Sequence, residues 1–134
     1  MNNSYEVIII GGGPAGLTTG LYTSRAGLNS ILIEKGLLGG QITYAEHVEN
    51  FPGFHQGISG LELSERMQIQ ATKYGLKTIS AEATGLKIQG ALKIVKTTDG
   101  DFTGKTIILA GGAKRNMLGV PGEDKLIGLT CFHF

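Results

Sequence analysis

With one cysteine in 134 residues, Cys131, the chain cannot close an internal disulfide. The three histidines, at 47, 55 and 133, stand at no metal-ligand spacing from that thiol, so no structural metal is expected. Prolines number only three and charged residues 17%, against 41% hydrophobic, a balance that belongs to a folded globular chain rather than a disordered one. An excess of one charge sign is also missing. Twelve basic and eleven acidic residues are interspersed and leave a formal net charge of +1, which offers neither nucleic acid nor an acidic membrane a footprint. Met1 to Tyr5 has no basic region, and glycine soon breaks the apolar run that ends at Ile10. Neither a signal peptide nor a membrane span is expected, and a cytoplasmic location follows. The length suits a single domain, able to bury roughly two-thirds of its unfolded surface.

Glycine is what the chain has in excess. Its 22 glycines fall in short clusters without a collagen-like period, the distribution of turns and of close backbone approaches to a ligand. The first cluster follows Tyr5 to Ile10, a β-branched run that reads as a strand covered on both faces. Pro14 to Ala26 then reads as a helix, with proline at its first turn and Gly27 at the left-handed cap. Ser30 to Ile33, ending at Glu34, is a second strand, and the three elements make a βαβ unit. Residues 35 to 58 show no period and read as a long irregular connection, the kind that is usually functional. Ser59 and Glu62 have capping-box spacing, and Leu63, Met67 and Ala71 continue a second helix to Gly75. Lys77 to Ser80 is a strand, Ala83 to Thr98 holds two extended stretches broken near Gly90, and Asp99-Gly100 is a hairpin turn; together they predict an antiparallel appendage. Lys105 to Ala110 returns to the apolar pattern and is assigned to the same parallel sheet as the first strand, on the side opposite Ser30 to Ile33.

Gly11-Gly12-Gly13-Pro14-Ala15-Gly16 fits G-x-G-x-x-G between a strand and a helix, with an acid at the next strand's end. Gly11 permits the tight turn, Gly13 lets a pyrophosphate reach the backbone, and Gly16 lets helix and strand pack closely. A helix start supplies free N–H groups and a positive dipole end, so a diphosphate needs no basic side chain. Glu34 can accept hydrogen bonds from both ribose hydroxyls and repels a 2′-phosphate. FAD and NAD satisfy this pattern and NADP does not, while a chance glycine turn remains the alternative. The motif by itself does not separate FAD from NAD.

Gly39-Gly40-Gln41, then Val48-Glu49-Asn50-Phe51-Pro52-Gly53-Phe54, Gly57-Ile58-Ser59-Gly60 and Leu118-Gly119-Val120-Pro121-Gly122-Glu123 resemble the bacterial, low-molecular-weight thioredoxin reductases. The resemblance covers about residues 5 to 128 and implies an α/β, Rossmann-like, three-layer FAD/NAD(P)-binding fold with a parallel sheet and a small antiparallel β-meander. It implies FAD contacts from Gly11, Gly12, Gly13, Pro14, Ala15 and Gly16, from Ile33, Glu34 and Lys35, and from Gly39, Gly40 and Gln41. Asn50, Ala83 facing the adenine, and Ala110, Gly111 and Gly112 complete that set. Missing side chains at Gly39 and Gly40 clear the ligand path, and the amides of Gln41 and Asn50 suit a ribityl chain or flavin edge, with loop duty as their alternative. Tyr44 and Phe54 either cover the flavin or pack the loop, and His47 and His55 read as exposed and without a partner.

The sequence also departs from that family. The NADPH-binding insert with its Cys-x-x-Cys pair, and the second FAD segment with its Gly-Asp, are not found in it; Gly100-Asp101 reads as turn chemistry. The family's Ala-Thr-Gly is here Ala110-Gly111-Gly112, and a basic residue expected near 116 is Arg115, beside Asn116. Residues 1–128 are therefore expected to be the N-terminal segment of an FAD-binding domain and 129–134 an irregular tail with Cys131 a structural or free thiol. The expected function is the FAD-binding portion of a thioredoxin-reductase-like flavoprotein oxidoreductase, incomplete alone and completed by its own remainder, a complementing chain or a homo-oligomer. An NAD-binding Rossmann protein and a non-catalytic interaction fragment are the alternatives.

Overall fold

The computed structural model describes residues 4–114 and 116–126; Arg115, Cys131 and the 129–134 tail lie outside them. Chain order is β1 (Ser4–Ile10), α1 (Pro14–Arg25), β2 (Ser30–Glu34), a 3-10 turn (Gly40–Tyr44), α2 (Gly60–Thr72), β3 (Lys77–Ser80), β4 (Ala83–Gln89), β5 (Leu92–Thr97), β6 (Gly100–Leu109) and α3 (Glu123–Leu126). Among the described residues no helix is long and apolar enough to cross a membrane.

One six-stranded sheet runs β3-β2-β1-β6-β5-β4. The first four strands are parallel and the last three antiparallel, β6 belonging to both sets. As the apolar patterns predict, β1 lies between β2 and β6. Its residues alternate between two cores because successive strand side chains point to opposite faces. Val7 and Ile9 join Leu17, Leu32, Ala71 and Leu76 under the helices, while Ile8 joins Ile31, Ile33, Ala81, Val95 and Phe102 on the other side. This is why Val7 to Ile10 is apolar at every position.

The antiparallel strands are continuous with the main sheet rather than an appendage to it. β6 pairs with β5 over Gly100–Gly104 and with β1 from Thr103 to Leu109. At Gly104, which pairs with Tyr5 of β1, a Cβ would come within 2.9 Å of Ile8, so glycine leaves room for that side chain. β3 and β4 are the two ends of the sheet, yet only Ala81 and Glu82 separate them in the chain. Five strand spacings in a flat sheet would be about 24 Å, whereas three residue steps reach about 11 Å. The sheet therefore folds back on itself, and the meander becomes a third layer opposite the helices.

The 35–58 connection carries more order than its sequence suggests. Besides the 3-10 turn it holds an antiparallel bridge between Val48 and Ile58, closed by reciprocal backbone bonds of 2.8 and 3.1 Å. Val48, Ile58 and Leu63 form a small core with Ile42, Ala45, Phe51, Phe54 and Met67 around it. The capping box ahead of α2 is half formed: the Ser59 hydroxyl accepts the Glu62 N–H at 3.1 Å, but the Glu62 carboxylate takes Arg66 at 2.6 Å instead.

Candidate functional site

The parallel strands β1, β2 and β6 bring their C-terminal ends together. Gly11 N–H donates to the Ile33 carbonyl at 2.9 Å and Ala110 N–H to the Ile10 carbonyl at 2.7 Å, which extends the ladder into the loops. The chain leaves β1 toward β2 and β3, while β6 occupies the other side. That makes the β1/β6 boundary a topological switch point, where α/β sheets open a ligand crevice. A cleft of about 740 Å³ lies there, walled by Gly13, Pro14 and Ala15 on one side and by Ala110, Gly111 and Gly112 on the other.

Each glycine of the first turn answers a different constraint. Gly11 has φ +108°, and a Cβ on it would overlap the Ala110 carbonyl; one on Gly16 would overlap the Gly11 carbonyl oxygen. A Cβ on Gly12 would lie 2.6 Å from the Leu38 side chain and 2.9 Å from that of Glu34. Gly13 is unlike these. Its backbone is extended, at φ −72° and ψ −174°, and the nearest atom to a Cβ there is the Gly39 oxygen at 4.0 Å. The protein's own packing gives position 13 no need for glycine. Gly13 also caps α1, with Pro14 behind it, no side chain bonded to the helix end and no acid in the first turn. Within α1 itself nothing offsets the positive end of the helix dipole beside the cleft.

Glu34 ends β2 under the same turn. Its Oε2 accepts the Gly12 N–H at 2.6 Å and its Oε1 the Gly36 N–H at 2.7 Å. An ionised carboxylate has about four acceptor sites, so two remain for hydroxyl donors. Glu34 lines the large cleft and also a smaller pocket of about 170 Å³, which Ile10, Ile33, Ala81 and Ala83 floor with apolar surface. Lys35 and Glu82 stand on the polar rim of that pocket, paired at 3.1 Å. Glu34 and Gly111 line both spaces, which form one groove along the strand ends.

The structure places most of the sequence-predicted set along this groove. Gly11, Ile33, Lys35 and Ala83 line its small end, and Gly13, Pro14, Ala15, Gly40, Gln41, Ala110 and Gly112 its large end. Gly12 and Gly16 sit behind the lining. Gly39 does not clear a ligand path: it has φ +109°, and a Cβ would meet Ser64 and Thr43 at 2.5 and 2.6 Å, so protein fills that space. Gly40, at φ +61°, faces the Gly13 Cα. The Gln41 amide donates to the Ala113 carbonyl, tying the 3-10 turn to the segment after β6 across the cleft.

Asn50 lies apart, exposed in a separate depression formed by Glu49 to His55. Phe54 packs on Phe51 and beneath the Arg66 guanidinium, and Tyr44 is exposed. His47 has a partner after all: its Nε2 is 3.6 Å from Glu49 Oε1, and its ring rests against Gly57. Ile10, Ala81, Glu82, Ile42, Leu109 and Ala113 also line the groove and were not singled out from the sequence. Small residues at 81 and 83 flanking an acid were the only local sign of the β3–β4 wall.

Known proteins agree with this architecture. A thioredoxin reductase of Bacillus subtilis (strain 168) is 43% identical over 124 residues, covering 92% of this chain and 39% of that protein. The crystal structure of a thioredoxin reductase from Streptococcus pyogenes MGAS5005 superposes with a TM-score of 0.85 at 40% identity, over 94% of this chain and 41% of that one. That of Lactococcus lactis gives 0.83 at 38% identity, over 91% and 40%. The chain thus spans about two fifths of the length of the relatives it matches. With a family match over residues 5–133 and this strand-end groove behind a glycine turn, the chain belongs to the pyridine nucleotide-disulphide oxidoreductases.

Proposed function

We propose that the groove binds FAD and that the chain is the FAD-binding portion of a thioredoxin-reductase-type flavoprotein oxidoreductase. The observation that carries this reading is Gly13, a glycine with ordinary backbone and open space where its side chain would be. A Cβ there would stand in the volume that a diphosphate needs to approach the N–H groups opening α1.

Around that point the residues divide the ligand. Ile10, Ile33, Ala81 and Ala83 offer an apolar slot for adenine, and Glu34 keeps two acceptor sites for the ribose hydroxyls. Gly40, Gln41 and Ala110 to Gly112 border the larger space toward the ribityl chain and isoalloxazine. Bound flavin supplies the electron transfer; the protein binds it, orients it and screens it from water. Gly112, at φ +72°, leaves the strand end without a side chain beside that space. Asn50 is kept in the binding set on the family resemblance alone.

The 134 residues contain one cysteine, so a dithiol partner to the flavin has to come from elsewhere. Leu109, which lines the large end of the groove at the close of β6, and Met117, Leu118 and Val120 beyond it are all exposed, which supports a further polypeptide surface. That surface belongs to a complementing segment, chain or second copy.

The purified chain is expected to carry or take up flavin, seen as a visible absorbance band, and to melt at higher temperature with added FAD. Ligand at a hundred times its Kd adds about 2.7 kcal/mol. Stabilisation by NAD with none by FAD would overturn the assignment.

A further inference from the structure

Lys35 follows Glu34 directly, and its ammonium stands on the rim of the small pocket. In dinucleotide-binding folds a basic group beside the ribose site is what accommodates a 2′-phosphate. Left to itself, Lys35 would weaken the rejection that Glu34 provides. It is engaged, however, by Glu82 at 3.1 Å.

Glu82 is carried there by backbone that does not depend on the lysine. The preceding Ala81 N–H donates to the Glu34 carbonyl at 3.0 Å. Glu82 N–H donates to the Thr98 hydroxyl at 3.1 Å, and Thr98 N–H returns a bond to the Glu82 carbonyl at 3.1 Å. The two-residue β3–β4 connection is thus pinned to both β2 and the end of β5, with its carboxylate over the pocket mouth. Side-chain exposures of 68% for Lys35 and 53% for Glu82 make the pair a negligible source of fold stability. Its place on the pocket gives it another use: Glu34, Lys35 and Glu82 together leave the rim one negative charge in surplus.

We propose that Glu82, by holding Lys35, makes the adenosine end of the groove reject 2′-phosphorylated dinucleotides and so restricts it to ligands with a free ribose 2′-hydroxyl, FAD among them. Glu82 is a positioning residue acting on Lys35. The inference rests on reading the groove as an adenosine diphosphate site.

ADP-ribose and 2′-phospho-ADP-ribose differ only in the phosphate at issue, and titration of both into the 134-residue chain at low ionic strength tests the proposal. The wild type should prefer ADP-ribose, and Glu82→Gln should narrow that preference about fivefold, the scale of one unit charge a few ångströms away in water. In a Lys35→Met background the same substitution should narrow it less than twofold, and added salt should diminish the Glu82→Gln effect. An unchanged preference, or an equal change in both backgrounds, would overturn the role of Glu82 while leaving the groove assignment intact. If the wild type binds neither compound, the groove assignment fails and this inference with it.

Discussion

Gly11, Gly12, Gly13 and Gly16 share a residue type and answer four different demands. Gly11 needs a left-handed φ, Gly12 yields to Leu38 and Glu34, and Gly16 yields to the Gly11 carbonyl, so three of them serve the fold. Gly16→Ala should therefore lower stability by about 1–3 kcal/mol, because a backbone carbonyl has no rotamer with which to give way. Urea denaturation measures this, and an unchanged midpoint at equal slope would contradict the packing described. The spacing of the motif made the duties of Gly11 and Gly16 legible in the sequence. Those of Gly39 and Glu34 were less so: Gly39 makes room for Ser64, and the Glu34 carboxylate bonds Gly12 and Gly36 before any ribose is present. The contacts of Gly39 with Ser64 and of Glu34 with Gly12 join residues more than twenty positions apart, which no local pattern records.

Among the elements, β1, β2 and α2 were readable because burial imposes a period or an unbroken apolar run, and α1 because Pro14 and Gly27 mark its two ends. The 35–58 connection was not, since Val48 and Ile58 meet across a bridge and their partners Ile42, Phe51 and Phe54 recur at no fixed interval. Leu63 is the helix residue that anchors this connection, with 1% of its surface exposed. Leu63→Ala should cost about 2–5 kcal/mol, the range for a buried leucine that leaves a cavity. It should also deprotect the Val48 and Ile58 amides in hydrogen exchange more than those of Ile8 and Ile9. Equal loss of protection in all four would show that the loop core is not a separate unit hung on α2. Since the same loop carries Gly40 and Gln41 to the groove, its packing sets the shape of the large end.

Across the whole molecule the decisive feature is a sheet that closes back on itself. It carries Ala81, Glu82 and Ala83 from β3, at one end of the strand order, onto the mouth of the pocket beside β2. Strand order and closure arise from pairings between distant segments, so composition and period gave the meander its strands without its place as a third layer. Ala83 was reached in the sequence only through family resemblance, and Glu82 not at all. The arrangement leaves one long groove along the strand ends, with α1 pointing its free N-terminus into the middle. Titration of FAD into wild-type chain and Gly13→Val, following flavin fluorescence, tests this directly. A diphosphate seated on α1 predicts at least about a hundredfold loss of affinity, with apo-protein stability within about 0.5 kcal/mol, the range for a substitution that meets open space. Equal FAD affinity in the two proteins would contradict it.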